Sequence, residues 1–330
     1  MALLRYAALV TVTAVILAAA APTVAAAPEP EVTGYLLGGA PNRLIDRNAA
    51  GLDEVGIDGV LLRAGGRQVD LPSADAVRLL RHAHRQGLRA ELLLSNYSDL
   101  LGDFDPVAAA RLLRHPANVD RVAGRLARVA RVQGWDGITV DLESLARKDG
   151  RGLVRLVRQL QTRMPADRTV SIDLMASTTS AGFRDRGYLL AALGRSADVV
   201  AVMTYDNHGP TWSGPGPIGG LRWQRRVLVP LLAAVPRTKL DLGIAGYAYT
   251  WPRHGTGRVL SVAGARRVVA ADGAVAHWRP GPAEWTATLS NGTVLWWSDR
   301  RSFAARLDLA TKRHLHGVAL WRLGSTDTLG

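Results

Sequence analysis

The sequence predicts an α/β fold, a (β/α)8 barrel of the TIM type with a small β-rich insertion between its seventh and eighth strands. Three observations lead there. From residue 32 onward, apolar runs of strand length alternate with stretches of helical period, the pattern of parallel strands joined through βαβ units. Eight such runs occur in a chain of 330 residues, which suits a barrel of about 250 residues plus insertions. The stretch from Tyr247 to Gly317 is too long for one loop and one helix, and its middle is rich in Val, Thr and Trp.

The strands expected, in order, are residues 32–39, 59–63, 89–95, 138–143, 169–176, 199–205, 240–246 and 317–323. Each is a largely apolar run of strand length. Between them, 3.6-residue periodicity predicts helices over 74–86, 121–132, 153–163, 188–193, 223–234 and 303–312. A doubly wound open sheet is the competing architecture. The first strand ends in Leu36-Leu37-Gly38-Gly39-Ala40 with no Gly-rich phosphate loop behind it, which weakens a nucleotide-binding version. The insertion is placed at about residues 251–299. Its pairs Asp272-Gly273 and Asn291-Gly292 favour tight hairpins. Only six residues follow the eighth strand's Gly324, so the last barrel helix is missing and something else must cover that seam.

Residues 1–27 read as a secretory signal, and 28–330 as one catalytic unit. Arg5 supplies the basic start, Ala7–Ala20 is an uncharged apolar run, Pro22 breaks it, and Val24-Ala25-Ala26-Ala27 offers small residues for cleavage. The run is short for a membrane span, which needs about 20 residues; an uncleaved anchor is the alternative. Either way the bulk of the chain is expected outside the cytoplasm, secreted or at the cell wall.

The chain has no cysteine. That excludes disulfides, zinc–thiolate sites, iron–sulfur clusters and a cysteine nucleophile. It carries 41 Lys+Arg against 28 Asp+Glu, for a net charge of +13, yet only Lys148, Lys239 and Lys312 are lysines. An arginine skew of this kind reads as coding bias as much as selection for a polyanion, and no nucleic-acid partner is expected. The arginines at 111, 114, 121, 125, 128 and 131 are read first as a solvated helix face. An anionic wall polymer is the other reading.

The chemistry concentrates in Trp135-Asp136-Gly137-Ile138-Thr139-Val140-Asp141-Leu142-Glu143. Strand side chains alternate faces. With Ile138, Val140 and Leu142 turned to the helices, Thr139, Asp141 and Glu143 face the barrel interior. Two carboxylates on a buried face, about 6.5 Å apart along the strand, raise each other's proton affinity. One can then remain protonated near neutral pH as a general acid. Glu143, at the strand's end, is the natural acid and Asp141 its charge partner. Both project from one strand, whereas the usual glycosidase pair flanks the scissile bond. A retaining displacement therefore needs another nucleophile, and a substrate acetamido group can supply it. A structural ion pair with Arg63 or Arg322 is the bland alternative for both acids.

Asp136-Gly-Ile-Thr-Val-Asp141-Leu-Glu143 resembles the D-x-x-D-x-D-x-E signature of glycoside hydrolase family 18, the chitinases and their relatives. Three of its four acids are present, and Thr139 stands at the second. The spore-cortex and peptidoglycan-directed N-acetylglucosaminidase branch also tends to lack that Asp. Further segments agree in order: Val202-Met203-Thr204-Tyr205-Asp206 resembles the sixth-strand M-T-Y-D, Ser213-Gly214-Pro215-Gly216-Pro217-Ile218 a loop of the spore-lytic branch, Leu242–Tyr247 its seventh strand with Ala245 where Pro is usual, and Gly317–Gly324 the eighth strand with its sugar-platform tryptophan. The resemblance spans residues 32–325.

It implies that Glu143 protonates the glycosidic oxygen, Asp141 orients the acetamido group and Tyr205 donates to its carbonyl. It further implies that Asp206 and Met203 line the sugar site, with Tyr247 and Tyr35 as further contacts, and that Trp321 floors the reacting ring. Apolar stacking on indole suits Trp321 independently. Asp136, before the strand, is expected to hold the turn. Asp173, inward-facing on the next strand, is the candidate to replace the acid missing at Thr139. Asn96, Tyr97 and Asp99, after the third strand, are subsite candidates or plain loop residues.

The histidines show no metal-ligand spacing, and the Ser-Gly-Pro-Gly-Pro stretch does not make a nucleophile elbow. The expectation is a monomeric glycosidase needing no metal or organic cofactor. Its partner is an N-acetylglucosamine-containing polysaccharide, peptidoglycan before chitin, and no stable membrane partner remains after signal removal. A non-catalytic carbohydrate-binding protein on the same fold is the alternative.

Overall fold

The structure is a computed structural model, and it describes residues 29–329. The signal segment read at 1–27 lies outside the described residues. In chain order the first elements are β1 (Glu31–Leu37), a helical turn α1 (Arg43–Asp46), β2 (Glu54–Leu61), α2 (Ala74–Arg85) and β3 (Arg89–Ser95). A short ladder of β4 (Tyr97–Ser98) and β5 (Asp103–Phe104) follows, then α3 (Pro106–Leu113), α4 (Pro116–Gln133), β6 (Gly137–Asp141) and α5 (Gly150–Arg163). Next come β7 (Thr169–Met175), α6 (Ser180–Asp185), α7 (Leu190–Ser196), β8 (Val199–Met203), α8 (Leu221–Leu232) and β9 (Leu240–Ala245).

The chain then leaves the barrel through β10 (Ala248–Trp251), β11 (Val259–Leu260), α9 (Val262–Asp272), β12 (His277–Arg279), β13 (Glu284–Thr288) and β14 (Val294–Trp297). It returns by α10 (Arg300–Arg313) and β15 (Gly317–Trp321).

Eight parallel strands close into a barrel in the order β1-β15-β9-β8-β7-β6-β3-β2, as the alternation predicts. The open sheet is thereby excluded. Residues such as Ile57, Leu92, Val140, Ile172, Val200, Leu242 and Val318 pack outward against the helices in one continuous core. Several helix starts are capped by side chains. Ser73 accepts from Ala76 N, Asp105 accepts from Val107 N and Ala108 N, and Asp299 accepts from Arg301 N and Ser302 N, which satisfies backbone donors a helix leaves open. No helix among the described residues is long and apolar enough to cross a membrane.

Three expectations are corrected. The second strand lies at Glu54–Leu61, not 59–63, because Glu54, Gly56, Asp58 and Gly59 interrupt the apolar run that marks a strand. The insertion starts at Ala248 and is a five-stranded sheet in the order β11-β10-β14-β13-β12 with a helix, α9, across it. Asn291-Gly292 does turn the β13–β14 hairpin. Asp272-Gly273 instead ends α9, with Gly273 left-handed at φ 76°. A Gly that accepts positive φ serves a helix C-cap as readily as a hairpin.

Residues after β15 pack over the seam between β15 and β1. Leu329 N donates to Asn48 Oδ1 at 2.9 Å, Leu329 packs against the core, and Leu323 lies over Gly34 of β1.

The lobe is locked to the barrel by a buried ion pair. Arg306 of α10 and Glu284 of β13 meet at 2.9 Å, with side chains 1% and 0% exposed. Arg306 also donates to the carbonyls of Ala283, Ser302 and Gly219, while Glu284 accepts from Ile218 N and Gly219 N. Buried charges are tolerated when so fully hydrogen-bonded. The loop after β8, the lobe and α10 are thus tied at one point.

Candidate active site

A cleft of about 1200 Å3 opens at the C-terminal ends of the barrel strands, where the loops of this architecture build active sites. Asp58, Asp141, Glu143, Asp173, Met203, Tyr205, Asp206 and Trp321 all line it. These residues come from five different strand ends, those of β2, β6, β7, β8 and β15, brought together by the barrel's closure.

Asp141 is the last residue of β6 and points inward, with one carboxylate oxygen, Oδ1, buried and without a hydrogen-bond partner among the described residues. Burial first, and then the charge of Asp58, push its carboxyl up to about 7. Glu143 lies two residues past the end of the ladder, which closes at Asp141 and not at Glu143 as expected from the sequence. It is held by side chains instead. Asn96, fully buried, donates from Nδ2 to Glu143 O at 3.0 Å and accepts from Glu143 N at 2.9 Å, and Tyr188 donates to Leu142 O at 3.1 Å. Ser144, next in the chain, is left-handed at φ 56°. Backbone strain beside a cleft is the kind that surrounding structure must impose.

Burial is the main cause of the raised proton affinity of Glu143, with Asp141, Asp206 and Asp173 adding to it; its carboxyl is pushed up to about 9. At neutral pH Glu143 therefore holds a proton on a buried carboxyl that lines the cleft, the condition a general acid needs. Two interacting carboxyls release protons as a pair, in two steps. Among the described residues neither meets an arginine within ion-pair distance, and Arg63 pairs with Asp70 instead, at 2.6 Å. The structural ion pair weighed from sequence is absent among them.

Thr139, at the position of the signature's missing acid, donates to Glu91 Oε2 at 2.6 Å. Glu91 is fully buried and also accepts from Thr169 and Ser171. Asp173 lies beside Asp141, accepts from the Tyr35 hydroxyl at 3.0 Å, and has its carboxyl raised well above the usual range by burial and by Asp141. Tyr35 thus stands behind the cleft wall, under Asp173 and against Trp321 at 5.8 Å between ring centroids. Gly56 makes room for it, since a Cβ there would overlap the Tyr35 ring.

Tyr247 is likewise set back from the cleft. It and Tyr249 both donate to Asp206 Oδ1, the latter at 2.8 Å. Asp206 itself is left-handed at φ 59°, a conformation Asp tolerates better than most residues. The two tyrosines fix its carboxylate at the cleft mouth. Asp136 lies at the other end of β6. It accepts from Ala90 N, and it pairs with His84 and Arg168 at 2.7 and 2.6 Å. It holds the β3–β6 entry and is remote from the cleft.

Two groups were not legible as site residues. Asp58 lines the cleft only because β2 is longer than its apolar run suggests. Asn96 is a buried brace of Glu143, not a subsite residue; of the three candidates after the third strand, Tyr97 and Asp99 do line the cleft. Trp212, 55% exposed, and Trp223 add aromatic surface on the far wall.

The profile of the glycosyl hydrolases family 18 matches residues 84–326. The chain belongs to that family. Among relatives, the glycosylase YvbX of Bacillus subtilis is 27% identical over 175 residues, 52% of this chain and 51% of that protein. The cortical fragment-lytic enzyme of Bacillus anthracis is 25% identical over 258 residues, 71% of this chain and 56% of that protein. The chain spans about half the length of these relatives. In fold it is similar to the crystal structure of a chitinase from Chromobacterium violaceum, with a TM-score of 0.82 and 25% identity over 91% of this chain and 96% of that one. Family 18 membership and the closed barrel agree with the resemblance read in the β6, β8, β9 and β15 segments.

Proposed function

We propose that the chain hydrolyses β-linked N-acetylglucosaminyl bonds with retention of configuration, using the substrate's own acetamido group as the nucleophile. The observation that carries this is the Asp141–Glu143 pair: two carboxyls from one strand end, both with raised proton affinity, one of them bearing an unpaired buried oxygen.

In this reading Glu143 gives its proton to the glycosidic oxygen as the bond to the anomeric carbon breaks. Asp141, ionised, accepts a hydrogen bond from the acetamido N–H, and its negative charge stabilises the cationic five-membered ring that forms as the acetamido oxygen attacks the anomeric carbon. Tyr205 donates its phenol to that acetamido group. Water, deprotonated by the now ionised Glu143, then opens the ring from the face the leaving group vacated, and retention follows. Two other cleft carboxylates have different engagements: Asp206 is held by two phenols and Asp173 by Tyr35. Trp321 offers its indole face under the reacting sugar.

The substrate favoured is a peptidoglycan-type wall glycan. Support comes from the name of the cortical fragment-lytic relative and from the Thr139 substitution in the signature. Chitin is the second reading, favoured by the similarity to the Chromobacterium chitinase fold. Action outside the cytoplasm is supported by the leader-like run Ala7–Ala20 behind Arg5. The test of mechanism is a thiazoline analogue of the cyclic intermediate. Competitive inhibition well below the substrate's KM is expected. Turnover without inhibition, or equal turnover of substrates lacking the N-acetyl group, overturns acetamido participation.

A further inference from the structure

A second concavity, of about 480 Å3, lies on the barrel flank beside the cleft. Its floor is apolar: Val69, Leu71 and Val122. Its rim carries Arg63, Arg67, Arg121 and Arg125. Only Arg63 is compensated, by Asp70 at 2.6 Å. The nearest acid in sequence to the helical pair, Asp120, turns away to Arg163 at 3.7 Å. Among the described residues, no carboxylate lies within ion-pair distance of Arg67, Arg121 or Arg125, and all three are exposed. Arg121 and Arg125 are one turn apart on α4, about 6 Å along its axis. Their guanidinium groups thus stand together facing the loop that carries Arg67.

The groove and the cleft share one loop. Leu61 and Ser73 line the cleft, while Arg63 and Leu71, two residues inward from each, line the groove. A group branching from a sugar held in the cleft therefore has the groove within reach across that loop. An apolar floor under a rim of uncompensated arginines fits an occupant with aliphatic side chains and free carboxylates, because guanidinium groups bind carboxylates in a bidentate fork. A fully polar phosphodiester chain leaves such a floor unused.

We propose that this groove binds a short, aliphatic, carboxylate-bearing peptide attached to the glycan whose sugars occupy the cleft. The proposal rests on the wall-glycan reading above and names the part of that substrate the cleft itself does not hold. The arginines of α4, a solvated face by default, then become a substrate contact that selects peptide-bearing strands.

The experiment uses the full chain with Glu143→Gln, so that binding is read without hydrolysis. Sedimentation with wall glycan carrying intact stem peptides is compared with the same glycan stripped by an amidase. The background variant should prefer the peptide-bearing strands. Adding Arg67→Gln, Arg121→Gln and Arg125→Gln should abolish that preference, weakening binding on the order of tenfold if each exposed contact contributes roughly a factor of two to three. In the active enzyme the same triple substitution should leave hydrolysis of a soluble N-acetylglucosamine oligomer unchanged. A control, Arg222→Gln, Arg225→Gln and Arg226→Gln on α8, removes equal charge from another flank and should retain the preference.

Equal binding of both glycans, or equal loss in the two triple variants, overturns the groove as a peptide site. Competition by polyphosphate that removes binding to stripped and unstripped glycan alike also overturns it, in favour of general polyanion attraction. Absence of oligomer hydrolysis counts against the proposed function instead, and leaves the binding comparison standing.

Discussion

Asp58→Asn isolates one electrostatic contribution to the site. Asp58 lies opposite Leu93 of β3, which in turn lies opposite Thr139 of β6, two residues below Asp141. Two strand spacings across and two residues along put the carboxyls about 12 Å apart. At an effective dielectric near 20, two charges at that distance interact by about 1.4 kcal/mol, or about one pH unit. Asp58 has its own carboxyl raised to about 6 by burial, so above that pH it is charged and opposes ionisation of Asp141. Removing the charge lowers the Asp141 value from about 7. The assay is kcat/KM against pH on a chromogenic N-acetylglucosamine oligomer. The acidic limb, which reports ionisation of Asp141, should move down by roughly half to one unit once solvent screening by the open cleft is allowed for. The alkaline limb, set by Glu143, should hardly move. An acidic limb that stays in place or moves upward refutes the claim that Asp58 charges the site through Asp141.

Other substitutions test the supports of the cleft. Asn96→Ala removes both hydrogen bonds that brace the Glu143 backbone; kcat should fall with little change in KM, alongside a stability loss of about 1–3 kcal/mol by denaturant titration. Glu284→Ala leaves Arg306 buried and unpaired, so unfolding should cost about 3–5 kcal/mol less than in the parent, with a matching drop in Tm. Glu143→Gln should stabilise the fold at alkaline pH. The Glu143 carboxyl is raised from 4.5 to about 9, so the folded state keeps a proton that the unfolded chain releases, and stability is lost as pH climbs between those values. The Tm of Glu143→Gln should match the parent near pH 4 and exceed it increasingly toward pH 9. A constant offset contradicts the raised value.

How much of this was legible depended on whether a residue's role was local. The β3 strand matched residue for residue, and seven of the eight barrel strands began within one residue of expectation, because each is a short, largely apolar run in a regular alternation with helical segments. Asp141 facing inward followed from period-2 geometry alone. The β2 strand was misjudged because Glu54 and Asp58 are acidic residues whose pairing lies far along the chain. Glu54 is matched by Arg89 at 3.1 Å, and Asp58 faces the cleft. Tyr35 and Tyr247 were expected at the substrate. Their hydroxyls are instead taken by Asp173 and Asp206, contacts more than forty residues away in sequence that no local pattern encodes. Asn96 has the same character. A polar residue after a strand reads as a loop, and only the closed barrel shows that it is buried against the next strand's exit. The helix α9 was hidden because its start coincides with a β-rich run and its Asp-Gly end has the chemistry of a hairpin.

The central claim is that Glu143 supplies the proton for glycosidic cleavage. Its direct test is the rate of hydrolysis of a chromogenic N-acetylglucosamine oligomer by the parent protein and by Glu143→Gln, with sugar binding measured in both. Loss of a general acid removes on the order of 10²–10⁴ in rate, so turnover should fall by that factor in Glu143→Gln while the oligomer still binds with similar affinity. Equal turnover in the two proteins, or negligible turnover in both with binding retained, contradicts the account; the second outcome describes a sugar-binding protein on a hydrolase barrel.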